Sequence, residues 1–314
     1  MQLLKITFLL FLVAHLTSTA QDKDWQWAKR GGGNVNLTSG SVIYSTGRER
    51  VLEVAVDSEN NYYFIAEVGS SNVDYDGESV TTYGDNSSYK NIFVFSTTCE
   101  GDLRWKKNIG GGRTDYANSI KIDETDNVYV TGRTVNFPNS TPVHFDTDTI
   151  KSPAPQLGTL HNTYKGAFVI KYNQDGDFQW LIEPEGSAPS PFNSAVMAMD
   201  IDENNTLHTL LHLVTGTHLD GQVEVAEDDS QTVIAKFDED GSLINYTLID
   251  LKPGTNAPYD YQFVYDSNLS RYYIADTKRN GSDLISINGF GEDTGTQKIL
   301  LFSRFRGKWR GNLV

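Results

Sequence analysis

The sequence predicts an all-β fold made of about four repeated four-stranded units. Three observations predict it. A strand ending in Asp, an Asn-rich polar turn and a second apolar strand recur in VLEVAVDSENNYYFIA, NSIKIDETDNVYVTG, AVMAMDIDENNTLHTLL and YQFVYDSNLSRYYIA. A glycine precedes a tryptophan by four residues twice, Gly101 to Trp105 in TCEGDLRW and Gly176 to Trp180 in YNQDGDFQW. No stretch of about ten residues or more beyond the N-terminal segment shows helical apolar periodicity.

The elements follow in order. The first strand of each unit ends at Asp57, Asp123, Asp202 or Asp266, and the second carries Tyr, Val, Leu or Ile after the turn. A third strand recurs as NIFVFS, GAFVIKYN, TVIAKFD and KILLFSRF, and a fourth as DLRWKK, DFQWLI, LINYTL and, weakly, KWRGNL. Alternating β-branched and aromatic residues with Gly, Asn and Asp punctuation are strand and hairpin signals. An Asp-Gly or Glu-Gly turn joins third to fourth strand, and the Trp packs on the fourth. The second and third strands are separated by an insert with a short strand of its own: VDYDGESV, VHFDTDTIKS, HLDGQVEV or LISINGF.

A four-stranded unit with one buried face cannot stand alone. Radial stacking buries both faces and gives a β-propeller; the alternative is a β-sandwich. The units span approximately 25–105, 106–180, 181–246 and 247–314. Closure is expected to be incomplete or irregular. DWQWAKR at the N-terminal side is a fifth candidate fourth strand, and it competes with KWRGNLV for one slot. The basic residues Arg304, Arg306, Lys308 and Arg310 suit an edge strand protected against pairing.

The first residues, MQLLKITFLLFLVAHLTSTAQ, read as a secretory signal over 1–20, with Ser18, Thr19 and Ala20 at the cleavage site. Its apolar run is too short to span a bilayer, and no later segment is apolar enough to do so. The domain is then 21–314, secreted or held in the periplasm or cell envelope. A single cysteine, Cys99, rules out an intrachain disulfide, so the core must hold the fold. A net charge of −15 argues against nucleic acid as a partner.

Candidate chemistry is sparse. DIDENN and NQDGD alternate oxygen ligands, which makes Asp200, Asp202, Asn204 and Asp175 candidates for calcium. An EF-hand counted from Asp200 would need Gly and Glu where Asn205 and Leu211 stand, so that loop type is excluded. Hairpin turn chemistry, in which Asp, Asn and Gly accept positive φ, is the plainer reading of these residues. No other cofactor is indicated. NQDGDFQW approaches a sialidase Asp box, but Gly176 falls one place early. His208 and His212 lie on a strand ~13 Å apart, which favours packing over zinc. GGGNVN and IGGGRTDYA precede strands, whereas a phosphate loop opens a helix. Cys99 has no base beside it. Asn36, Asn86, Asn139, Asn204, Asn245, Asn268 and Asn280 head Asn-x-Ser/Thr triplets, which matter only in a eukaryotic secretory route.

The second unit carries the strongest pattern: Trp105, Gly110-Gly111, Asp115, Ala117, Ser119-Ile120, Asp123, Asn127 to Gly132, Phe168 to Tyr172, Gly176 and Trp180. This order resembles the bacterial SBBP-type β-propeller repeat, found in exported proteins, many from Bacteroidetes. The resemblance runs from about Trp25 to Phe305 and decays toward the C-terminus, where Asn245 stands for Trp and the fourth unit has no Asp-Gly turn. It implies an exported propeller and brings no catalytic motif. The Gly-to-Trp spacing is also similar to that of the tryptophan-docked blades of quinoprotein dehydrogenases and outer-membrane assembly propellers, whose blades are shorter. The expected function is a non-enzymatic binding or scaffold module for an extracellular or envelope protein or glycan. The alternative is a propeller enzyme acting on glycans.

Overall fold

The computed structural model describes residues 27–33, 49–84, 89–136, 138–153, 164–184, 194–249, 261–277, 298–305 and 308–309. The segment read as a signal, the LISINGF insert and most of the basic tail lie outside them. Every described element is a strand. In chain order they are β1 (Gly31–Gly32), β2 (Arg50–Val56), β3 (Tyr62–Gly69), β4 (Asp74–Tyr75), β5 (Glu78–Ser79), β6 (Lys90–Thr97) and β7 (Leu103–Ile109). Next come β8 (Tyr116–Ile122), β9 (Val128–Asn136), β10 (Val143–His144), β11 (Ile150–Lys151), β12 (Tyr164–Tyr172) and β13 (Phe178–Ile182). The remainder are β14 (Ala195–Ile201), β15 (Leu207–His218), β16 (Val223–Phe237), β17 (Leu243–Ile249), β18 (Gln262–Asp266), β19 (Arg271–Thr277), β20 (Lys298–Phe305) and β21 (Lys308–Trp309).

They form four four-stranded sheets, β2-β3-β6-β7, β8-β9-β12-β13, β14-β15-β16-β17 and β18-β19-β20-β21, here units 1 to 4. The all-β, repeated four-stranded architecture matches the sequence reading. First strands follow one another, β2 against β8, β8 against β14 and β14 against β18. The cores lie between units. Tyr63, Ile65, Ile92 and Val94 of unit 1 pack on Ile120, Val128, Phe168 and Tyr172 of unit 2. Tyr129 and Val169 of unit 2 meet Met199, Leu207 and Phe237 of unit 3. Leu210 and Ile234 of unit 3 meet Phe263 and Tyr272 of unit 4. Alternation along each strand thus feeds both faces of a sheet, as stacking demands.

The first three units share their irregularities. A bulge interrupts the first strand at Val51/Glu53, Ala117/Ser119 and Val196/Ala198. Another interrupts the ladder of third and fourth strands at Ser96/Thr97, Lys171/Tyr172 and Lys236/Phe237. Bulges re-aim neighbouring side chains, and the second set sits beside Trp105, Trp180 and Asn245, which pair with Ser96, Lys171 and Lys236. The inserts of units 1 and 2 are small hairpins, β4-β5 (joined by β1) and β10-β11. In unit 3 the insert extends β15 and β16 themselves, past an irregularity at Val214/Gly216.

Unit 4 departs from the pattern. Val56 pairs with Tyr62, Ile122 with Val128 and Ile201 with Leu207, but Tyr265 pairs with Tyr272, one residue further along. A one-residue slip turns each side chain to the other face. Tyr272 therefore packs back onto unit 3, whereas Tyr63 and Tyr129 face the following unit. β20 also runs parallel to β19; residues 278–297 between them are outside the described set.

Candidate functional site

The two ends of the strand array differ in kind. At the end holding the first-to-second-strand turns, the repeated Asp organises each turn. Asp57 accepts the N–H groups of Glu59 (2.9 Å) and Asn61 (2.8 Å), the Asn61 amide (2.8 Å) and the Tyr63 hydroxyl (2.8 Å). Asp123 repeats this with Thr125 N–H (2.9 Å), Asn127 N–H (2.9 Å) and the Tyr129 hydroxyl (3.1 Å). Asp202 accepts from the N–H groups of Asn204 (2.9 Å) and Thr206 (3.0 Å), with His208 Nε2 at 3.1 Å in the place of the tyrosine. The residue three places on takes positive φ in each, Asn60, Asp126 and Asn205, as Asx-type turns allow. Desolvation opposes the charge on Asp57 and Asp202, but their hydrogen bonds win and hold both carboxyls below the ordinary range.

A cation completes the first two clusters. Lys171 Nζ lies 3.8 Å from Asp123. In unit 1 the third strand has the short Ser96 at that register, and the bulged Arg104 reaches in, 2.8 Å from the Tyr63 hydroxyl and 3.7 Å from Asp57. In unit 3 Lys236 Nζ sits 5.2 Å over the Tyr265 ring, which stacks on His208 at 4.1 Å. His208 Nδ1 lies 2.7 Å from the Tyr272 hydroxyl. Asp202, His208 and Tyr272 would look like a proton relay in isolation. The ring is 1% exposed, burial holds it below its ordinary pKa, and tyrosines fill its place in units 1 and 2. The group is a structural cluster.

The tryptophans dock across units. Trp105 Nε1–H donates to Gln174 O (2.8 Å), Trp180 Nε1–H to Glu239 O (2.9 Å), and Trp27 Nε1–H to Cys99 O (2.8 Å). Each indole lies on the turn glycine of the next unit. A Cβ on Gly176 would stand 2.7 Å from Trp105, and one on Gly101 2.6 Å from Trp27. Both glycines also need φ near +83 to +84. So Gly101 and Trp105, adjacent in sequence, serve opposite faces of unit 1. Asn245, at the Trp register of unit 3, is flanked by Tyr246, whose hydroxyl donates to Gln222 O (2.9 Å).

The other predicted residues disperse. Asp200 Oδ2 accepts from Tyr265 N–H of unit 4 (2.7 Å), while Asp202 turns into its own loop. Asn204 and Asp175 are exposed in turns of different units. Among the described residues no three His, Cys, Asp or Glu side chains gather as metal ligands. Asp266 accepts from Leu269 N–H (3.0 Å) in place of the two-bond pattern of its counterparts. Cys99 is exposed, and a hydrogen bond to Glu100 raises its thiol pKa, which disfavours the thiolate. His212 is buried, and burial lowers it to about 4.

The opposite end carries Asp115, named in the repeat pattern, together with residues that the motif reading passed over. The residue before each first strand braces the second strand. Glu49 accepts from Gly33 N–H (2.6 Å) and Gly69 N–H (2.7 Å), and Asp115 from Gly111 N–H (3.0 Å) and Val135 N–H (2.8 Å). Ser194 Oγ takes Val214 N–H (3.2 Å) in unit 3. The glycine loops before β2 and β8 are thus tied to the brace. Asp115 is fully buried, and desolvation pushes it up to about 7 against these bonds and one from Asn91. Beyond the braces the units diverge. Ten places after the turn Asp stand Glu67, Arg133 and His212. Glu67, 1% exposed, holds Lys90 Nζ at 2.5 Å and Arg50 at 3.3 Å. Arg133 stacks over the Tyr116 ring at 4.6 Å, and its Nε, shielded from solvent, has no hydrogen-bond partner among the described residues. Arg113 lies 5.2 Å over the Tyr89 ring, and Tyr83 stacks on His144 at 3.8 Å. The shared spacing from the turn Asp was the signal that could have found Glu67 and Arg133.

Residues 104–137 match the model of the SBBP family, described as a beta-propeller repeat. The match spans the fourth strand of unit 1 and the first two strands of unit 2, so it contains Trp105, the glycine loop, Asp115, Asp123, Tyr129 and Arg133. No curated protein matches the chain. No described helix is long and apolar enough to cross a membrane.

Proposed function

Starting from a chain of which residues 104–137 match a beta-propeller repeat, we propose that the protein is an exported, non-enzymatic propeller acting as a binding or scaffold module for an envelope or extracellular protein or glycan. The observation that carries this reading is Arg133. It is half-buried and rests on Tyr116, and its solvent-shielded Nε has no hydrogen-bond partner among the described residues. A solvent-shielded donor normally keeps a partner, so a ligand carboxylate or other acceptor suits this place. The buried ionisable groups at the opposite end are absorbed by the repeat, because turns and inter-unit packing account for them. Glu67, Arg133 and His212 stand at one register of the second strands and differ from unit to unit.

The test uses the purified chain on an array of neutral and acidic glycans and of envelope proteins. Binding that Arg133→Ala weakens about tenfold, with no reducing ends released from any polysaccharide, is the expected result. Catalytic release of reducing ends would move the protein to the glycan-enzyme class. Export is tested by sequencing the N-terminus of secreted protein, expected to start at Gln21.

A further inference from the structure

At the junctions between units 1 and 2 and between units 2 and 3, three contacts recur. The N–H one place after the turn Asp donates to a side-chain oxygen three places after the Asp of the next unit. Ser58 does so to Asp126 (3.0 Å), adding its hydroxyl (2.7 Å), and Glu124 does so to Asn205 (3.2 Å). First-strand apolar residues are covered by the preceding unit: Ala117, Ile120, Val196 and Met199 are 8%, 1%, 4% and 2% exposed. An indole from the preceding fourth strand seats on the turn glycine.

Unit 1 carries the receiving half of all three contacts. Val51, Val54 and Val56 pair with Ala66, Phe64 and Tyr62, as Ala117, Ile120 and Ile122 pair with Gly132, Val130 and Val128. Yet these valines are 58%, 50% and 50% exposed. Asn60, at the acceptor place of Asp126 and Asn205, is exposed too. Among the described residues only the glycine seat is filled, by Trp27.

Unit 4 carries the giving half. Val264, 52% exposed, stands two places before the turn Asp, where Ala55 packs against the core of unit 2. Ser267 repeats Ser58 one place after it. No packing between β18 and β2 comparable with that of β2 on β8 is present among the described residues. We infer that the exposed face of unit 1 receives unit 4 of a second copy of this chain, head to tail. The four described units of two copies, joined at both ends, make a ring of about eight blades, within the usual propeller range. Trp27 of the receiving chain supplies the indole.

Light scattering on the full chain should give the mass of two copies at micromolar concentration. Val54→Glu should raise the dissociation constant about tenfold or more while leaving the circular dichroism spectrum unchanged, since Val54 is exposed within one chain. In a Cys99→Ser background, Val54→Cys with Val264→Cys should oxidise to covalently linked dimers. Monomers at every concentration overturn the inference, as does an association that Val54→Glu leaves intact. A disulfide formed within a monomer also overturns it, because it shows the chain closing on itself.

Discussion

Replacing Gly176 by Ala tests the docking geometry most directly. The residue sits at φ 83, and its new Cβ would meet the Trp105 ring 2.7 Å away. The left-handed backbone alone costs about 1–2 kcal/mol. The clash forces the indole to shift, weakening the 2.8 Å bond to Gln174 O, worth about 1 kcal/mol, and part of its packing on Tyr63 and Tyr172, 5.9 and 6.1 Å away. Together the substitution should cost about 3 kcal/mol or more. Trp105→Ala alone should cost about 2–3 kcal/mol, below the range for a wholly buried indole because this one is half-buried. In the double variant the clash has no partner, so Gly176→Ala should then cost only the backbone share. Urea unfolding followed by far-ultraviolet circular dichroism gives the four free energies, and the coupling should be about 1–2 kcal/mol. Additivity within about 0.5 kcal/mol would refute the docking argument, since it would mean that the two residues do not touch.

Further tests address charge and metal. Asp123→Ala strands the Tyr129 hydroxyl, Lys171 and two N–H groups and should cost about 3–5 kcal/mol in the same assay. Burial lowers His212 to about 4 from 6.5, so the unfolded chain takes up its proton first. The resulting stability is full above about pH 6.5 and is lost as pH falls toward 4, by about 3 kcal/mol; the difference between wild type and His212→Gln across that window measures it. Asp115, raised to about 7, acts with the opposite sign: stability is lost as pH rises toward 7, which flattens the wild-type profile. A chelator should leave the melting temperature unchanged; a large drop would place calcium in one of the Asp-rich turns.

What was legible in the sequence was whatever local chemistry decides. The strand alternation, the turn Asp and the Asp-Gly turn are each encoded within a few residues, so the four-stranded repeat could be read before any contact was known. The partner of each indole could not. Gly101 and Trp105 are four residues apart but touch different neighbours, because opposite faces of one sheet meet different units. A local clue to Trp27 was present, since it stands just before a triple glycine as Trp105 does. The similarity of YQFVYDSNLSRYYIA to the first unit aligns Tyr272 with Tyr63, yet a hairpin one residue longer turns Tyr272 to the other face. Glu67, Arg133 and Tyr116 escaped because none belongs to a chemical motif; only register brings them to one end.

The repeat is its own control on function. A residue type that recurs at one register in several units answers to a demand that all units share, and stacking is that demand. The Asp turns and the indole seats are of this kind, and Glu49, Asp115 and Ser194 keep one hydrogen-bonding role at one register although their types differ; substituting any of them should first cost stability. A position whose register recurs while its chemistry does not is released from that demand. Along the face that meets the following unit, Tyr63 and Ile65, Tyr129 and Thr131, and His208 and Leu210 are all buried. The next step along that face brings Glu67 with two cations, Arg133 with an aromatic ring and none, and His212 held neutral near pH 7 by burial. The packing shared by the units does not call for a charge reversal at this register, where Glu67 is buried beside its cations and Arg133 is half-buried. On the binding function proposed above, a ligand spanning the units would meet a different group on each. Substitutions at Arg133 should therefore separate binding from folding, whereas substitutions at Asp123 should not.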